Sequence, residues 1–122
     1  MRPAKSADGQ STVEFALVMP FVMVLLMITV QVGLVARDRV LTVHAARAGA
    51  RAAAVLASTP AVRDAVATSS GLDPGRLSVR EVVDGSRVTV TVRYRSPTEV
   101  PLVGLLVDDV DLESSVTMRL ER

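Results

Sequence analysis

The stretch EFALVMPFVMVLLMITVQVGLVA, residues 14–36, decides the fold, because beyond its first glutamate it contains no charged side chain. Phe15 to Ala36 is 22 residues long, about 33 Å at a helical rise of 1.5 Å per residue. That length crosses a bilayer core of about 30 Å. A cleaved secretory signal has a shorter apolar region, roughly 7–15 residues, and a small-residue cleavage site. Here the run ends in Arg37-Asp38-Arg39, so the sequence predicts a membrane anchor.

The composition limits what the remainder of the chain can be. The 122 residues are 49% hydrophobic but only 2% aromatic, so a core must be built from Val, Leu, Ala and Met. Fourteen Lys and Arg face thirteen Asp and Glu, and this balance gives no reason to expect direct nucleic-acid binding. The chain has no cysteine, which excludes disulfides, thiolate catalysis and cysteine-based zinc sites.

Two features of the N-terminal part modify the simple picture of a straight span. Residues 1–9 are polar, carry Arg2 and Lys5 and show no periodicity, so we expect a short disordered leader. Pro20 lies inside the apolar run and removes the amide that would bond to the carbonyl of Ala16. A kink or a local break is therefore predicted there.

The helix is predicted to continue beyond the span over residues 37–58, because no breaker occurs before Pro60. One stripe of this segment is formed by Val43, Ala46, Ala50, Ala53 and Ala57, and another by Val40, His44, Arg47 and Arg51. Ala45, Gly49 and Ala53 repeat at intervals of four, the small-xxx-small pattern of closely packed helices. This packing seam could receive either a partner helix or the chain's own sheet, and both alternatives stay open.

The second half of the chain changes from helical to strand periodicity. Ser58-Thr59-Pro60 is a helix-start signal, which predicts a short helix over residues 60–69. Asp84-Gly85 is a two-residue hairpin signal between predicted strands 77–83 and 87–95. Residues 110–121 alternate again and form a third predicted strand.

The outer faces of the last two strands carry opposite charge. Arg87, Arg93 and Arg95 lie on one face of the second strand, and Asp111, Glu113 and Glu121 lie on one face of the third. If these strands pair, each exposed ion pair would contribute about 0.2–1 kcal/mol, enough to favour a register. The sequence thus predicts an α+β protein: a long N-terminal transmembrane helix, a short second helix and a three-stranded antiparallel sheet packed on the long helix.

Residues at the start of the apolar run match a known family pattern. Gly9, four residues, Glu14 and then an apolar helix resembles the processing site of type IV prepilins. The longer string GQSTVEFALVMP is similar to TadE-like proteins, pseudopilins of the tight-adherence (Tad, Flp-type) pilus machinery. The segments AARAGARAAA and SSVTMRLER are also similar to that family. The long helix is accordingly expected to be pilin-like.

The resemblance implies roles for particular residues. A membrane-embedded prepilin peptidase would cleave after Gly9, making Gln10 the first residue and Glu14 the fifth. Glu14 and the adjacent Phe15 would then form an assembly contact, with Glu14 paired to the free amine of a neighbouring subunit. We also expect the dipole of the helix to favour Glu14 by about 0.3–1 kcal/mol. Major Flp pilins are shorter and carry Glu-Tyr where this chain has Glu14-Phe15, which argues for a minor pseudopilin. TadF-like relatives share the pattern, so the subtype stays open.

The resemblance also implies a location and partners. The chain would divide into a leader peptide (1–9), a processing-site flank with a transmembrane helix (10–36) and an extracytoplasmic domain (37–122). The expected location is the bacterial inner membrane, with the C-terminal domain outside and incorporation into the pilus. Partners would be a prepilin peptidase, other pilins or pseudopilins, inner-membrane assembly proteins and the lipid bilayer. The positive-inside count opposes this orientation, because two basic residues precede the span and Arg37, Arg39, Arg47 and Arg51 follow it.

No grouping in the sequence predicts an enzyme, a metal site or a cofactor. His44 is the only histidine, so zinc sites with several histidines are excluded within one chain. Asp108-Asp109-Val110-Asp111 lacks the spacing of a calcium loop and is predicted to be a solvated turn. Two functions remain: the trimmed minor pseudopilin, or an uncleaved single-pass, membrane-tethered binding or scaffolding domain that uses the packing seam to pair with another membrane protein.

Overall fold

A computed structural model describes residues 5–56 and 58–121. Two helices precede a three-stranded antiparallel sheet, which confirms the predicted α+β class. The elements are α1 (Lys5–Leu56), α2 (Thr59–Ser70), β1 (Leu77–Asp84), β2 (Arg87–Ser96) and β3 (Val110–Arg119). Single turns of 3-10 helix lie at Pro74–Arg76 and Val103–Leu105.

Helix α1 is one uninterrupted element of 52 residues. It continues through Pro20, so the predicted local break is wrong, while the kink stays a prediction. It also begins at Lys5, so the prediction of a disordered leader is wrong for residues 5–9, and residues 1–4 lie outside the described part. No proline occurs between Lys5 and Gly9, and a single glycine costs a helix only about 1 kcal/mol relative to alanine. The apolar run and the domain's first helix are therefore one rod.

Helix α2 returns along α1 because its ends are set by local sequence. Ser58 is extended and its carbonyl accepts the first helical hydrogen bond from the amide of Val62 at 3.1 Å. Pro60 occupies the first turn, where its missing amide is not needed. Gly71 ends the helix in the left-handed region at φ 63°, which glycine adopts without a Cβ clash. This short segment places Val62 and Val66 in the core.

The sheet has β2 at its centre, with β1 and β3 on either side. The register pairs Arg93 with Glu113 and Arg95 with Asp111, and both pairs form ion pairs. Thr89 bonds Thr117 at 2.8 Å and Thr91 bonds Ser115 at 2.6 Å on the same outer face. The predicted alignment of basic and acidic faces is confirmed. The inner face of the sheet carries Val88, Val90, Val92, Tyr94 and Leu112, all of them buried.

The small residues of α1 allow the helix to lie close to both α2 and the sheet. Ala45, Gly49 and Ala53 are buried in the same core as Val66 and Val90. A Cβ placed on Gly49 would lie 2.6 Å from Val66 Cγ2 and 3.1 Å from Val90 Cγ1. The packing seam is thus occupied within the chain. The second predicted stripe (Val40, His44, Arg47 and Arg51) is exposed, and Ala57 lies outside the described residues.

Substitution at Gly49 tests this close packing. Gly49→Leu forces side-chain atoms into space already filled, and overpacking of this kind costs about 3 kcal/mol at the upper end of its usual range. In detergent micelles, thermal unfolding followed by circular dichroism should move down by about 10 °C or more. Gly33→Leu is the matched control, since a Cβ there meets nothing within 4 Å. Equal unfolding temperatures for the two variants would contradict the packing described.

Candidate assembly and membrane-anchoring site

The N-terminal half of α1 is an apolar surface that the rest of the described chain leaves uncovered. In its most apolar 18-residue stretch no residue is buried. Phe21 is 77% exposed, and most of the large apolar residues from Val13 to Val32 are also exposed. A core helix of a soluble protein would bury this face. The one long apolar helix therefore suggests a membrane anchor.

Gly9 lies in the second turn of α1 and is exposed. A Cβ placed there meets nothing within 4 Å, so the space beside its Cα is open to a peptidase. The peptide bond between Gly9 and Gln10 is nevertheless helical, and a protease cleaves extended backbone. Because glycine is about 1 kcal/mol less favourable than alanine in a helix, it lowers the cost of unwinding this end.

Glu14 lies one helical turn beyond Gln10 on the same face. The side-chain amide of Gln10 donates from Nε2 to Glu14 Oε1 at 3.1 Å, and both residues are exposed. Glu14 is nine residues from Lys5, whereas the dipole effect is confined to the first turn. The expectation that the dipole favours Glu14 is therefore wrong for the uncut chain. Phe15, the next residue, projects 62% exposed from the same helix.

Gln31 marks the point where α1 meets the domain. Its side chain is buried, donates from Nε2 to the carbonyl of Pro97 and accepts from the amide of Val100, both at 3.4 Å. No role for Gln31 was predicted from the sequence. The sequence nevertheless contains a signal for this contact, because a carboxamide in an apolar run needs hydrogen-bond partners.

Asp38 forms a second polar joint between α1 and the sheet. Its carboxylate Oδ2 accepts from Ser96 Oγ at 2.7 Å, and its carbonyl accepts from Thr42 Oγ1 at 2.7 Å. All three residues are buried. Arg39, beside it, donates from a guanidinium nitrogen to the carbonyl of Glu113 at 3.0 Å. These contacts fix the helix against the ends of β2 and β3.

Asp109 closes the loop that joins β2 to β3. Its Oδ1 accepts from the amide of Thr98 at 3.1 Å, and its Oδ2 accepts from Arg76 at 3.0 Å. The hydrogen bond from Thr98, and then the one from Arg76, lower the pKa of Asp109 below its ordinary value. The segment predicted to be a solvated turn thus contains a carboxylate that ties the loop to the 3-10 turn before β1.

His44, Arg47 and Arg51 lie together on the outer side of α1, along an open groove that also includes Val116 and Met118. Among residues 5–56 and 58–121, no group of three or more His, Asp or Glu side chains is arranged to hold a metal ion. The groups that stand out are instead Gly9, Gln10 and Glu14 at one end of the apolar rod and Gln31 at the other.

The comparison with known families adds the remaining evidence for this rod. Residues 9–51 match the family of TadE-like proteins. The matched range begins at Gly9 and contains Glu14, the whole uncharged segment and most of the packing seam, which confirms the resemblance predicted from the sequence. The TadE-like match and the N-terminal apolar helix together suggest a Tad pilus-associated protein. Neither the curated proteins nor the solved structures gave a match.

The state of Asp109 should make stability depend on pH. A carboxylate whose pKa is lowered by folding stabilises the fold above its unfolded pKa of about 3.9. That contribution is lost as the pH falls through the lower folded value. Asp109→Asn should therefore unfold at lower urea concentration than the parent at about pH 7, with the difference shrinking toward about pH 2.

The neighbouring Asp108→Asn is the control for this titration. Its side chain is not the acceptor for Thr98 or Arg76, because only the carbonyl of Asp108 accepts from Thr98 Oγ1. A difference between Asp109→Asn and the parent that persisted unchanged in acid would argue against the charged contact.

Proposed function

We propose that this chain is a minor pseudopilin of a Tad/Flp-type pilus or secretion apparatus, trimmed after Gly9 by a prepilin peptidase and assembled through its N-terminal helix. The observation that carries the proposal is the bare apolar rod, which starts with Gly9 and Glu14 inside the TadE-like match. A rod that its own chain leaves uncovered has two suitable surroundings. One is lipid before assembly, and the other is a bundle of similar helices afterwards.

Trimming would change the surroundings of Glu14. In the uncut chain it is the tenth helical residue, too far from the helix start to benefit from the dipole. After cleavage it would be the fifth residue, about 6 Å along the axis from the new amine of Gln10. In a bundle, a carboxylate without a partner costs several kcal/mol. The amine of a neighbouring subunit is the opposite charge that trimming supplies at that level.

The same geometry supports an orientation with the domain outside the cytoplasm. The arginines after the span belong to a folded unit, since Arg39 bonds the carbonyl of Glu113 and Arg47 and Arg51 lie on the domain's helix. The positive-inside rule applies to loops shorter than about 60 residues, whereas longer segments translocate largely regardless of charge. Residues 37–122 exceed that length. The opposing count is therefore a weak objection.

The packing seam that the alternative function would use is covered by other parts of the same chain. An uncleaved scaffolding domain was expected to pair with another membrane protein through Ala45, Gly49 and Ala53. Those residues are covered by α2 and the sheet of the same chain. A partner could reach them only by displacing the domain's core, so this candidate receives no support from the packing.

Substitution at the scissile position tests the trimming step. In cells that contain the host's prepilin peptidase, mass spectrometry should find the parent chain beginning at Gln10. Gly9→Leu should leave most of the chain uncut, because leucine raises the cost of unwinding by about 0.8–1 kcal/mol, roughly fivefold, and puts a side chain beside the bond. Gly33→Leu should be trimmed like the parent and serves as the control. An intact leader on the parent would overturn the proposal.

Substitution at Glu14 tests the assembly step separately. Glu14→Gln should be trimmed and inserted normally but should leave a buried amine without its charge partner, a loss of about 3–5 kcal/mol. We expect its amount in sheared pili to fall at least about tenfold, since 1.4 kcal/mol already corresponds to that factor. The exposed Glu99→Gln is a matched control in the domain. Normal incorporation of Glu14→Gln would show that the carboxylate is not an assembly contact.

A further inference from the structure

The loop between β2 and β3 carries two leucines that are more exposed than the other large hydrophobic residues in the described part of the chain. Residues 101–107, PLVGLLV, form the segment called here the leucine loop. Leu105 is 84% exposed and Leu106 is 82% exposed, more than Phe21 in the uncovered helix at 77%. Leu102 and Val107 are also exposed, whereas Val103 is buried and holds the loop to the protein. Nothing in the part of the chain that the structure describes covers these four side chains.

The leucine loop begins beside Gln31, at the end of the uncovered part of α1. Its 3-10 turn contacts α1, and the segment leading into it is bonded to Gln31 through Pro97 and Val100. A hydrocarbon core of about 30 Å takes about 20 helical residues, which from Phe15 ends near Leu34. Gln31 then lies about 5 Å inside that boundary. Pro97 and Val100, which are bonded to Gln31, therefore lie close to that boundary.

The chemistry of the loop suits an apolar surface. The segment 101–107 has no polar side chain, and the charged residues Glu99 and Asp108 stand outside it on either side. Four of its amides have local partners: those of Gly104, Leu105, Leu106 and Val107 donate to carbonyls of Val100, Leu102 and Val103 at 2.9–3.3 Å. Lipid offers no replacement for an unmade backbone hydrogen bond, so this internal pairing is what insertion requires.

Two further features indicate that the leucines are directed outward. Gln31, the polar group at this depth, turns toward the loop backbone and is buried by it. Leu102 has φ 68°, a left-handed conformation that glycine adopts far more easily. A strained residue of this kind persists where the surrounding structure holds it, and such positions cluster at functional surfaces. At position 102 the chain has an exposed leucine, although glycine would adopt this backbone conformation at lower cost.

We propose that the leucine loop inserts into the membrane leaflet on the domain side, with Leu102, Leu105, Leu106 and Val107 entering the lipid beside α1. The loop gives the domain a second attachment to the bilayer and holds the sheet against the membrane surface. The proposal rests on the membrane anchor of the proposed function. We choose lipid as the partner of the loop because the loop contacts α1 next to Val30 and Val32, which are themselves exposed.

The absence of cysteine allows a direct depth measurement on the full-length chain. Single-cysteine variants Leu106→Cys, Val83→Cys and Phe21→Cys are each labelled with an environment-sensitive fluorophore and reconstituted at high dilution in phosphatidylcholine vesicles. Val83 is the matched control, an exposed apolar residue next to the β1–β2 turn. Shallow nitroxide lipids should quench the label at 106 at least about threefold more than the label at 83. Aqueous iodide should show the reverse order.

The outcomes separate this inference from the function on which it rests. If iodide reaches 106 as readily as 83 while the label at 21 is quenched by lipid, the anchor stands and the loop proposal is wrong. If 106 is shielded only at high protein density, a neighbouring copy covers the loop and lipid insertion is overturned. If iodide also reaches 21, the anchor fails and takes the loop proposal with it.

A second variant keeps the test independent of the label at 106. With the fluorophore on Val107→Cys, the double substitution Leu105→Ser and Leu106→Ser should return the label to the water phase. Both leucines are so exposed that the fold does not depend on them. Val82→Ser with Val83→Ser is the matched control and should leave the label in lipid. Unchanged lipid quenching after loss of the two leucines would overturn their role.

Discussion

The structure depends on one helix that must satisfy two different surroundings along its length. From Val13 to about Val30 the apolar side chains of α1 have no protein around them, and from Gln31 onward one face of the same helix becomes the core of a small domain. Apart from Tyr94, the domain builds that core from small and medium side chains. It can do so because alanine and glycine let the helix come close to both α2 and β2. Without this helix, one side of the domain's hydrophobic core would be uncovered.

Polar side chains mark the change from one surrounding to the other. Gln31 and Asp38 both lie on α1 and are both buried, and each is paired with an atom near the C-terminal end of β2. Burying such groups without partners would cost several kcal/mol. Paired, they fix which turn of the helix faces the sheet, because a shift by one turn would leave both sides unpaired. Hydrophobic contacts between alanines and valines alone are too uniform to set that position.

Periodicity and local signals predicted most of the fold. The change from helical to alternating pattern located the sheet, and the opposite charges of β2 and β3 predicted their pairing. Asp84-Gly85 located the hairpin, although its two turn residues are Gly85 and Ser86, because Asp84 pairs with Arg87 at the end of β1. What the pattern could not give were contacts between distant residues. The roles of Gln31 and Asp109 depend on partners 66 and 11 residues away, and the seam at Gly49 fits either a partner helix or the chain's own sheet until the position of Val66 is known.

The candidate site could be predicted only in part, for the same reason. Gly9 and Glu14 lie close in sequence and form a local motif, so one chain was enough to recognise them. The helical state of residues 5–9 was missed because a polar segment without apolar periodicity gives no signal when an adjoining helix simply extends into it. Residues 101–107 form an apolar segment of the sequence, but their exposure and their position beside α1 follow only from the tertiary structure.

The continuity of α1 has a mechanical consequence. Since Lys5 to Leu56 is a single helix of 52 residues, about 78 Å long, the domain is not suspended from its anchor by a linker. The rotation of the domain about the helix axis is fixed by the backbone of the same helix. When neighbouring rods are packed with a fixed rotation between them, the outer faces of their sheets must follow that rotation. The packing of the helices would then determine how the charged outer faces of the sheets are arranged.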